Sequence, residues 1–234
     1  VNCSVVTWGR AEYGGNSSAV APLLTEGVVQ VCRTKYSFAA IKANSCVVTW
    51  GRAEFGGKSS AVAPLLEGVV QLCGTTGAFA AVKANGKEGV VQVCGTAGAF
   101  AAIKENGIVV TWGDAACGGN SSSVAPLLTE GVVQICRTAG AFAAIKANGS
   151  VVTWGRADHG GNSSAVPPLL TESVIQVRGN DAAFAAIKEN GSVVTWAFAA
   201  IKANGSVVTW GDAEYGGNSS AVAALLTEGV VQVC

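Results

Sequence analysis

Few residues of the chain are of the types that do chemistry. His159 is the only histidine among 234 residues, and a catalytic imidazole needs a positioned acid or nucleophile. Asp158 is adjacent in sequence, but neighbouring side chains of an extended segment point to opposite faces. Repeated copies of this segment carry Tyr13, Phe55 and Tyr215 in place of the histidine. We therefore interpret His159 as a surface aromatic substitute and expect no catalytic site.

The eight cysteines suggest disulfides or a metal, and the spacing favours neither. Five of them follow the same Val-Val-Gln segment of a repeat: Cys32, Cys73, Cys94, Cys136 and Cys234. Equivalent positions of successive repeats lie beyond the reach of a disulfide, and no Cys-x-x-Cys spacing typical of zinc sites occurs. We interpret the five as small buried hydrophobic residues. Cys3 and Cys46 are placed in turns, and Cys117 in a glycine loop.

Gly-Gly-Asn-Ser-Ser loops recur along the chain, as at 14–18 and 160–164. A phosphate-binding loop ends in Gly-Lys-Ser/Thr and continues into a helix, and these loops do neither. We therefore expect tight structural loops, no bound metal and no organic cofactor.

The charge balance excludes further classes of protein. Fifteen basic and fifteen acidic residues cancel, and only 13% of the chain is charged. A nucleic-acid-binding protein would carry a basic stripe. The lysines of the repeated Ala-Ile-Lys motif are matched by recurring glutamates, so we expect a solvated rim of balanced charge. No run of 18 apolar residues exists, which argues against a membrane-spanning helix.

The elements that must position these residues are β-hairpins. Phe142–Lys146 and Val151–Trp154 have the composition of strands, and Asn148-Gly149 between them favours a type I′ turn. Both strands are apolar on both faces, which is typical of sheets that are covered on both sides. Asn106-Gly107 and Asn190-Gly191 repeat the signal.

Six Trp residues mark a repeat of about 42 residues: Trp8, Trp50, Trp112, Trp154, Trp196 and Trp210. Each full unit contains Val-Val-Thr-Trp-Gly, a glycine loop, an Ala-Val-x-Pro-Leu-Leu segment, Val-Val-Gln-Val and Phe-Ala-Ala-Ile-Lys. The proline-containing segment is either a fourth, edge strand or an irregular turn. The units are 1–44, 45–86, 87–107 (partial), 108–149, 150–191, 192–205 (partial) and 206–234 (partial). The partial units are either incomplete blades or the result of imperfect assembly from a repetitive source.

A period of 40–50 residues with several strands is typical of a β-propeller. No unit contains an apolar run of helical period, which argues against a helical solenoid. We predict an all-β single domain: a β-propeller of five to seven blades, incomplete or irregular.

The order Trp-Gly, glycine loop, Pro-Leu-Leu, Val-rich strand and Ala-Ile-Lys-Ala-Asn-Gly resembles the repeat of the RCC1-like (regulator of chromosome condensation 1) propellers. WD-type repeats fit less well, because no Trp-Asp pair occurs. The chain departs from the RCC1 pattern in Gly14-Gly15-Asn16-Ser17 after the Trp-Gly and in Ala99-Phe100 before the Ala-Ile strand. The resemblance implies a propeller and, as an alternative function, guanine-nucleotide exchange or chromatin association. In the family those functions rest on features outside the repeat core, including an inserted wedge and a basic tail, and these repeats contain no such insertion.

We expect instead a non-enzymatic scaffold that binds other proteins, as a peripheral subunit of a larger assembly, with no nucleic acid, no transmembrane insertion and no small-molecule substrate. Loops on a rigid framework carry function, and the positions that differ between repeats lie in two loops. The candidate contact residues are Arg10, Glu12, Tyr13, Arg33, Tyr36, Arg52, Glu54, Phe55, Asp114, Arg137, Arg156, Asp158, His159, Asp212, Glu214 and Tyr215.

The compartment is the least determined feature. Eight Asn-x-Ser sequons occur, but turns demand Asn, Gly and Ser in any compartment. We expect an intracellular rather than a secreted protein, with any targeting segment missing from a processed or partial chain. This chain is similar to Ala/Val-rich repeat arrays of some unicellular algae. That similarity adds one more alternative function, a peripheral subunit of an organellar membrane complex such as a photosystem.

Overall fold

The structure is a computed structural model that describes residues 3–84, 89–162 and 170–189, together with the backbone of 193–196, 199–201 and 207–209. Strands dominate it, in six antiparallel sheets that follow one another along the chain. Sheet 1 contains β1 (Val28–Arg33), β2 (Ser37–Lys42) and β3 (Val47–Gly51); sheet 2 contains β4 (Val69–Gly74) and β5 (Phe79–Lys83); sheet 3 contains β6 (Val90–Gly95), β7 (Ala99–Lys104) and β8 (Val109–Gly113). Sheet 4 contains β9 (Val132–Arg137), β10 (Ala141–Lys146) and β11 (Val151–Gly155); sheet 5 contains β12 (Val174–Gly179), β13 (Phe184–Lys188) and β14 (Val193–Trp196); sheet 6 contains β15 (Ala199–Ile201) and β16 (Val207–Thr209).

Each full sheet has the same strand order and register. The Val-Val-Gln strand pairs with Phe-Ala-Ala-Ile-Lys, which pairs in turn with Val-Val-Thr-Trp-Gly. Phe142 lies opposite Trp154, as Phe38 lies opposite Trp50. The predicted antiparallel pairing of these segments is therefore confirmed.

Successive sheets pack face to face. Five clusters of buried residues lie between neighbouring layers. One cluster lies at each of the four interfaces in the series from sheet 1 to sheet 5, and the fifth lies between sheet 1 and the N-terminal segment. The central strands have little exposed surface because alanines let the sheets approach closely; Ala144 and Ala186 are fully buried. The first strands of neighbouring sheets are adjacent, as in the blades of a propeller. The prediction of an all-β, irregular propeller is confirmed.

Backbone hydrogen bonds join the sheets where the first strand turns into the second. The amide of Lys35 donates to Thr76 O (2.9 Å), that of Thr76 to Ala97 O (3.0 Å), that of Ala97 to Ala139 O (2.7 Å) and that of Ala139 to Asp181 O (2.9 Å). One bond thus crosses every interface from sheet 1 to sheet 5.

The hairpin turns are not the type I′ turns predicted from Asn-Gly. Lys146 N donates to Ser150 O and Gly149 N to Lys146 O, which defines a three-residue loop closed by a left-handed residue. Gly149 has φ +76°, whereas a type I′ turn requires positive φ at Asn148 as well. Instead, the Asn148 side chain accepts a hydrogen bond from Ser150 N at 3.0 Å.

Three of the proline-containing segments form short 3-10 helices, so none of these three is a fourth strand. Pro167 and Pro168 lie outside the described residues. The longer ones are Ser18–Leu23 and Ser122–Leu127, and Ala63–Leu65 is the third. Proline lacks the amide that a ladder requires. Other one-turn 3-10 helices follow the Trp-Gly pairs, at Ala11–Tyr13, Ala53–Phe55, Ala115–Cys117 and Ala157–His159. No helix in the described part of the chain is long and apolar enough to cross a bilayer.

Candidate functional site: the loop face

Two sets of loops meet on one side of the sheets. One set follows the Trp-Gly pair at the end of each third strand, and the other connects the first strand to the second. We call their common surface the loop face. Threonines fasten the two sets together: Thr34 Oγ1 donates to Phe55 O at 3.0 Å, and Thr138 Oγ1 donates to His159 O at 2.9 Å.

These threonines were not singled out from the sequence, although their recurrence as Thr34, Thr75, Thr96 and Thr138 was the available signal. All four are buried. Thr138 Oγ1 also accepts from Ala141 N at 3.0 Å, so one hydroxyl holds both the turn and the neighbouring loop.

A glycine lets each Trp-Gly loop lie flat on the next sheet. Gly118 has φ +92°, and a Cβ atom at this position would lie 2.7 Å from Phe142 Cδ2. Its carbonyl accepts the indole hydrogen of Trp154 at 3.0 Å. The same arrangement joins Gly14 O to Trp50 Nε1 at 3.0 Å. The loop conformation is therefore set by close approach, as expected for a tight structural loop.

An aromatic cluster occupies the loop face over sheet 1. The ring centroids of Tyr13 and Tyr36 are 5.0 Å apart, and those of Tyr36 and Phe55 are 4.5 Å apart in an edge-to-face arrangement. The Arg52 guanidinium lies 4.9 Å from the Tyr36 centroid, and Lys35 Nζ lies 5.1 Å from it. Residues from both variable loops thus form a single cluster.

Ion pairs hold two of the Trp-Gly loops. Arg156 donates two hydrogen bonds to Asp158, from Nε to Oδ1 (3.1 Å) and from Nη2 to Oδ2 (2.6 Å). The side-chain hydrogen bond from Arg156 lowers the pKa of the Asp158 carboxyl, and the same bond raises the pKa of Arg156. Arg10 and Glu12 form a looser pair at 3.8 Å.

His159 does not face its acidic neighbour. Its Nδ1 lies 2.9 Å from Asp181 O in the turn of the next sheet, while Asp158 is engaged by Arg156. The imidazole therefore joins sheets 4 and 5 on the loop face, in the place that Tyr13 and Phe55 occupy in other repeats.

A cavity of about 640 Å³ opens among the turns that connect first and second strands. Its charged lining is Arg33, Lys35 and Arg137 on the basic side and Asp181 on the acidic side. Threonines and apolar residues such as Phe38 and Leu72 complete much of the wall. The cavity is therefore of mixed polarity and carries an excess of positive charge.

Four of the repeated cysteines form a row along the first strands: Cys32, Cys73, Cys94 and Cys136. The sequence predicted that they are buried, but all four are half-buried, and they are free thiols. Burial raises the pKa of Cys73 to about 11 and that of Cys94 to about 12. The row continues with Arg178 at the equivalent position of sheet 5. In the part of the chain that the structure describes, no group of three or more His, Cys, Asp or Glu is placed to hold a metal ion.

The remaining predicted residues are dispersed. Glu54 is exposed, and the Asp114 carboxylate accepts from Ala116 N at 2.9 Å, which caps a one-turn helix. Arg33 and Arg137 line the cavity instead of joining the aromatic cluster. Asp212, Glu214 and Tyr215 lie outside the described residues.

No protein-family model matches this chain, and no curated protein matches it. Solved structures similar to it include human WBSCR16, with 16% identity and a TM-score of 0.45 over 74% of this chain and 47% of the other. Prp20p of Saccharomyces cerevisiae, studied for its binding to Gsp1p and histones, has 15% identity and a TM-score of 0.42 over 76% and 45%. The ectodomain of the Arabidopsis thaliana receptor kinase ACR4 has 11% identity and a TM-score of 0.46 over 72% and 63%.

The chain spans about half the length of the first of these proteins. The strand order, the Trp-Gly loops and the face-to-face sheets are the features predicted from the repeat motif. Yeast RCC1 bound to Kap60 is a further similar solved structure, with 16% identity and a TM-score of 0.44 over 81% of this chain and 47% of the other.

Proposed function

We propose that this protein is a non-catalytic scaffold that binds other proteins through its loop face. The observation that carries the proposal is the cluster of Tyr13, Tyr36 and Phe55 beneath Arg52. Tyr and Arg are the residue types enriched in protein-binding hot spots. Tyr13 is 43% exposed, and Arg52 is exposed as well. The cluster therefore offers apolar area and a cation at one place.

Rigidity of the support favours this function. The loops that carry the cluster are fastened by buried hydroxyls and by indole hydrogen bonds, so little loop entropy would be lost when a partner binds. The contacts of His159 and Asp158 also favour binding over catalysis, because each group is already engaged away from the other. We extend the proposal to a peripheral place in a larger assembly, where a rigid face of this kind serves as a docking surface.

The test begins with a native pull-down with the whole chain, after which the main partner is purified and its affinity measured by calorimetry. The variant Tyr36→Ala/Arg52→Ala removes the centre of the cluster. We expect binding at least about thirtyfold weaker, because each hot-spot truncation costs about 1–2 kcal/mol or more. Glu130→Ala changes an exposed residue beside the hairpin turns on the opposite side and should leave the affinity unchanged.

Equal affinity of the double variant and the unmodified chain would show that the loop face is not the binding surface. Recovery of one small GTPase as the main partner, with nucleotide release stimulated by the chain, would support the exchange-factor alternative instead.

A further inference from the structure

Sheet 2 lacks the third strand that completes the other full sheets. β5 is followed by residues 84–89 and then directly by β6, so the Val-Val-Thr-Trp-Gly strand and its loop are missing between them. In sheet 1 the amide of Lys42, at the end of the middle strand, donates to Cys46 O on the third-strand side. Because amides alternate in direction along a strand, Phe79, Ala81 and Lys83 of β5 present theirs to the vacant side.

The gap leaves apolar surface uncovered on two sheets. Trp112 is 41% exposed, whereas Trp50 and Trp154 are 5% and 2% exposed. Each of the buried indoles donates to a glycine carbonyl of the preceding Trp-Gly loop; within the described residues no such carbonyl reaches Trp112. Ala81 is exposed, although its counterpart Ala144 is fully buried.

The uncovered surfaces form one notch. Its volume is about 540 Å³, and its walls are Ala80–Lys83 of β5 and, from sheet 3, the apolar residues Val90, Val93, Val110 and Trp112. An open strand edge lies on one side and the exposed Trp112 indole on the other. A strand with a following loop, as in the other repeats, would pair with the edge amides of β5 and accept the indole hydrogen of Trp112.

We propose that this notch binds an extended segment of a partner protein by β-strand addition. The regular repeats specify its chemistry. It carries two β-branched residues, a threonine and a Trp opposite Phe79, and it continues into a glycine loop whose carbonyl accepts the Trp112 indole hydrogen. Backbone pairing provides affinity in such complexes, and side-chain pockets provide specificity.

The occupant is a segment rather than a second copy of this fold. Wherever a Trp-Gly loop joins two successive sheets, the sheet after the loop packs against the sheet before the loop. Sheet 3 already occupies that place next to sheet 2. A second copy that supplied β3, β8 or β11 in this register would have its next sheet overlap sheet 3, whereas a segment that ends after the loop would not.

The test uses the whole chain and a fluorescein-labelled peptide with the sequence of residues 47–57, which contains the strand and the loop. We expect saturable binding by fluorescence anisotropy, and none by a scrambled peptide of the same composition. Ala81→Pro removes an edge amide that the missing strand would use, at a position where an edge strand tolerates proline. We expect it to weaken binding by at least about tenfold, since a bond and the register are lost.

Val110→Lys offers a second, independent block, because this side chain is 47% exposed and lines the notch without belonging to β5. It should also weaken binding, even if the proline variant fails to fold. Val29→Ala, an exposed substitution on β1, is the matched control and should bind as the unmodified chain does. Circular dichroism verifies that each variant is folded.

The proposal is overturned if the peptide does not bind, if the scrambled peptide binds equally, or if both notch variants bind normally. A dimer that is lost in Val110→Lys would also overturn it, because a second copy would then be the occupant.

Discussion

At the scale of single residues, repeated polar groups inside the loops hold this molecule together. The hydroxyls of Thr34, Thr96 and Thr138 are the clearest case, because each connects a turn to the loop that lies over it. A buried hydroxyl with several partners contributes more to stability than its own net hydrogen-bond energy, since its removal leaves those partners unsatisfied.

Thr138→Val should lower the free energy of unfolding by about 1–3 kcal/mol. The substitution keeps the shape of the side chain and leaves Ala141 N and His159 O without their partner. Thr129→Val is the matched control: this hydroxyl is exposed and bonds only Pro126 O, at 3.2 Å. Its effect should stay within about 0.5 kcal/mol. Urea denaturation measures both, and equal values for the two variants would contradict the role assigned to Thr138.

The cysteine row makes stability sensitive to alkaline pH. Burial raises the pKa of Cys73 from 9.0 to about 11 and that of Cys94 to about 12. Below about pH 8 the thiols are mostly protonated in both states and add little pH dependence. Between pH 9 and 12 the unfolded chain ionises first, so the free energy of unfolding falls as pH rises.

We therefore expect the loss of stability between pH 8 and pH 10.5 to be smaller in Cys73→Ala/Cys94→Ala than in the unmodified chain. Denaturant titrations at the two values measure the difference, and other titrating groups cancel because both proteins share them. Cys3→Ala, at an exposed thiol, is the control. An identical pH dependence in all three proteins would show that the two thiols are not buried.

At the scale of elements, the Trp-Gly loop is the part that completes a blade. It continues the third strand of one sheet and covers the indole of the next. Where the chain lacks it, a sheet edge and a tryptophan are both exposed. The contrast between equivalent tryptophans therefore measures what the loop contributes.

Trp154→Phe should destabilise the protein by about 1–3 kcal/mol, because it leaves Gly118 O without its buried donor and removes packed volume. Trp112→Phe should cost less than half as much, since that indole is exposed and uncovered. The two substitutions are chemically identical and differ in the cover that the preceding third strand, its loop and the proline-containing segment give to Trp154. Thermal denaturation followed by circular dichroism compares them; a larger loss for Trp112→Phe would contradict this account.

At the scale of the whole molecule, stability resides at the interfaces between successive sheets, as in repeat proteins generally. The interface of sheets 3 and 4 contains eleven buried hydrophobic residues, whereas that of sheets 2 and 3 contains four. The interface of sheets 1 and 2 also contains four, so both of the smaller interfaces belong to sheet 2, which has only two strands. Only the first strands and the backbone bonds between the turns continue undiminished across the interface of sheets 2 and 3.

Hydrogen exchange should therefore divide the molecule at the notch. We expect the amides of β10 to exchange slowest and those of β5 to exchange at least about tenfold faster, because local opening requires less free energy where fewer apolar contacts are broken. Exchange mass spectrometry on peptides that contain β2, β5 and β10 gives the comparison. Uniform protection across the three strands would argue against a weak interface.

The sequence by itself determined the hairpins, the strand pairing and the repeat, because each depends on short segments such as Phe142–Trp154 whose local preference and apolar pattern agree. It did not determine the turn type, because Asn148 stabilises a three-residue loop through its side chain as readily as it accepts a left-handed backbone. The same limit applied to the cysteine row, whose half-burial depends on how first strands meet. Only the tertiary structure placed Tyr36, Phe55 and Arg52 together, since they come from loops of different units that converge when the sheets pack. The tertiary structure also revealed the notch beside Trp112. The loop that follows a third strand covers the indole of the next sheet, so the exposure of Trp112 becomes visible only when sheets 2 and 3 are packed together.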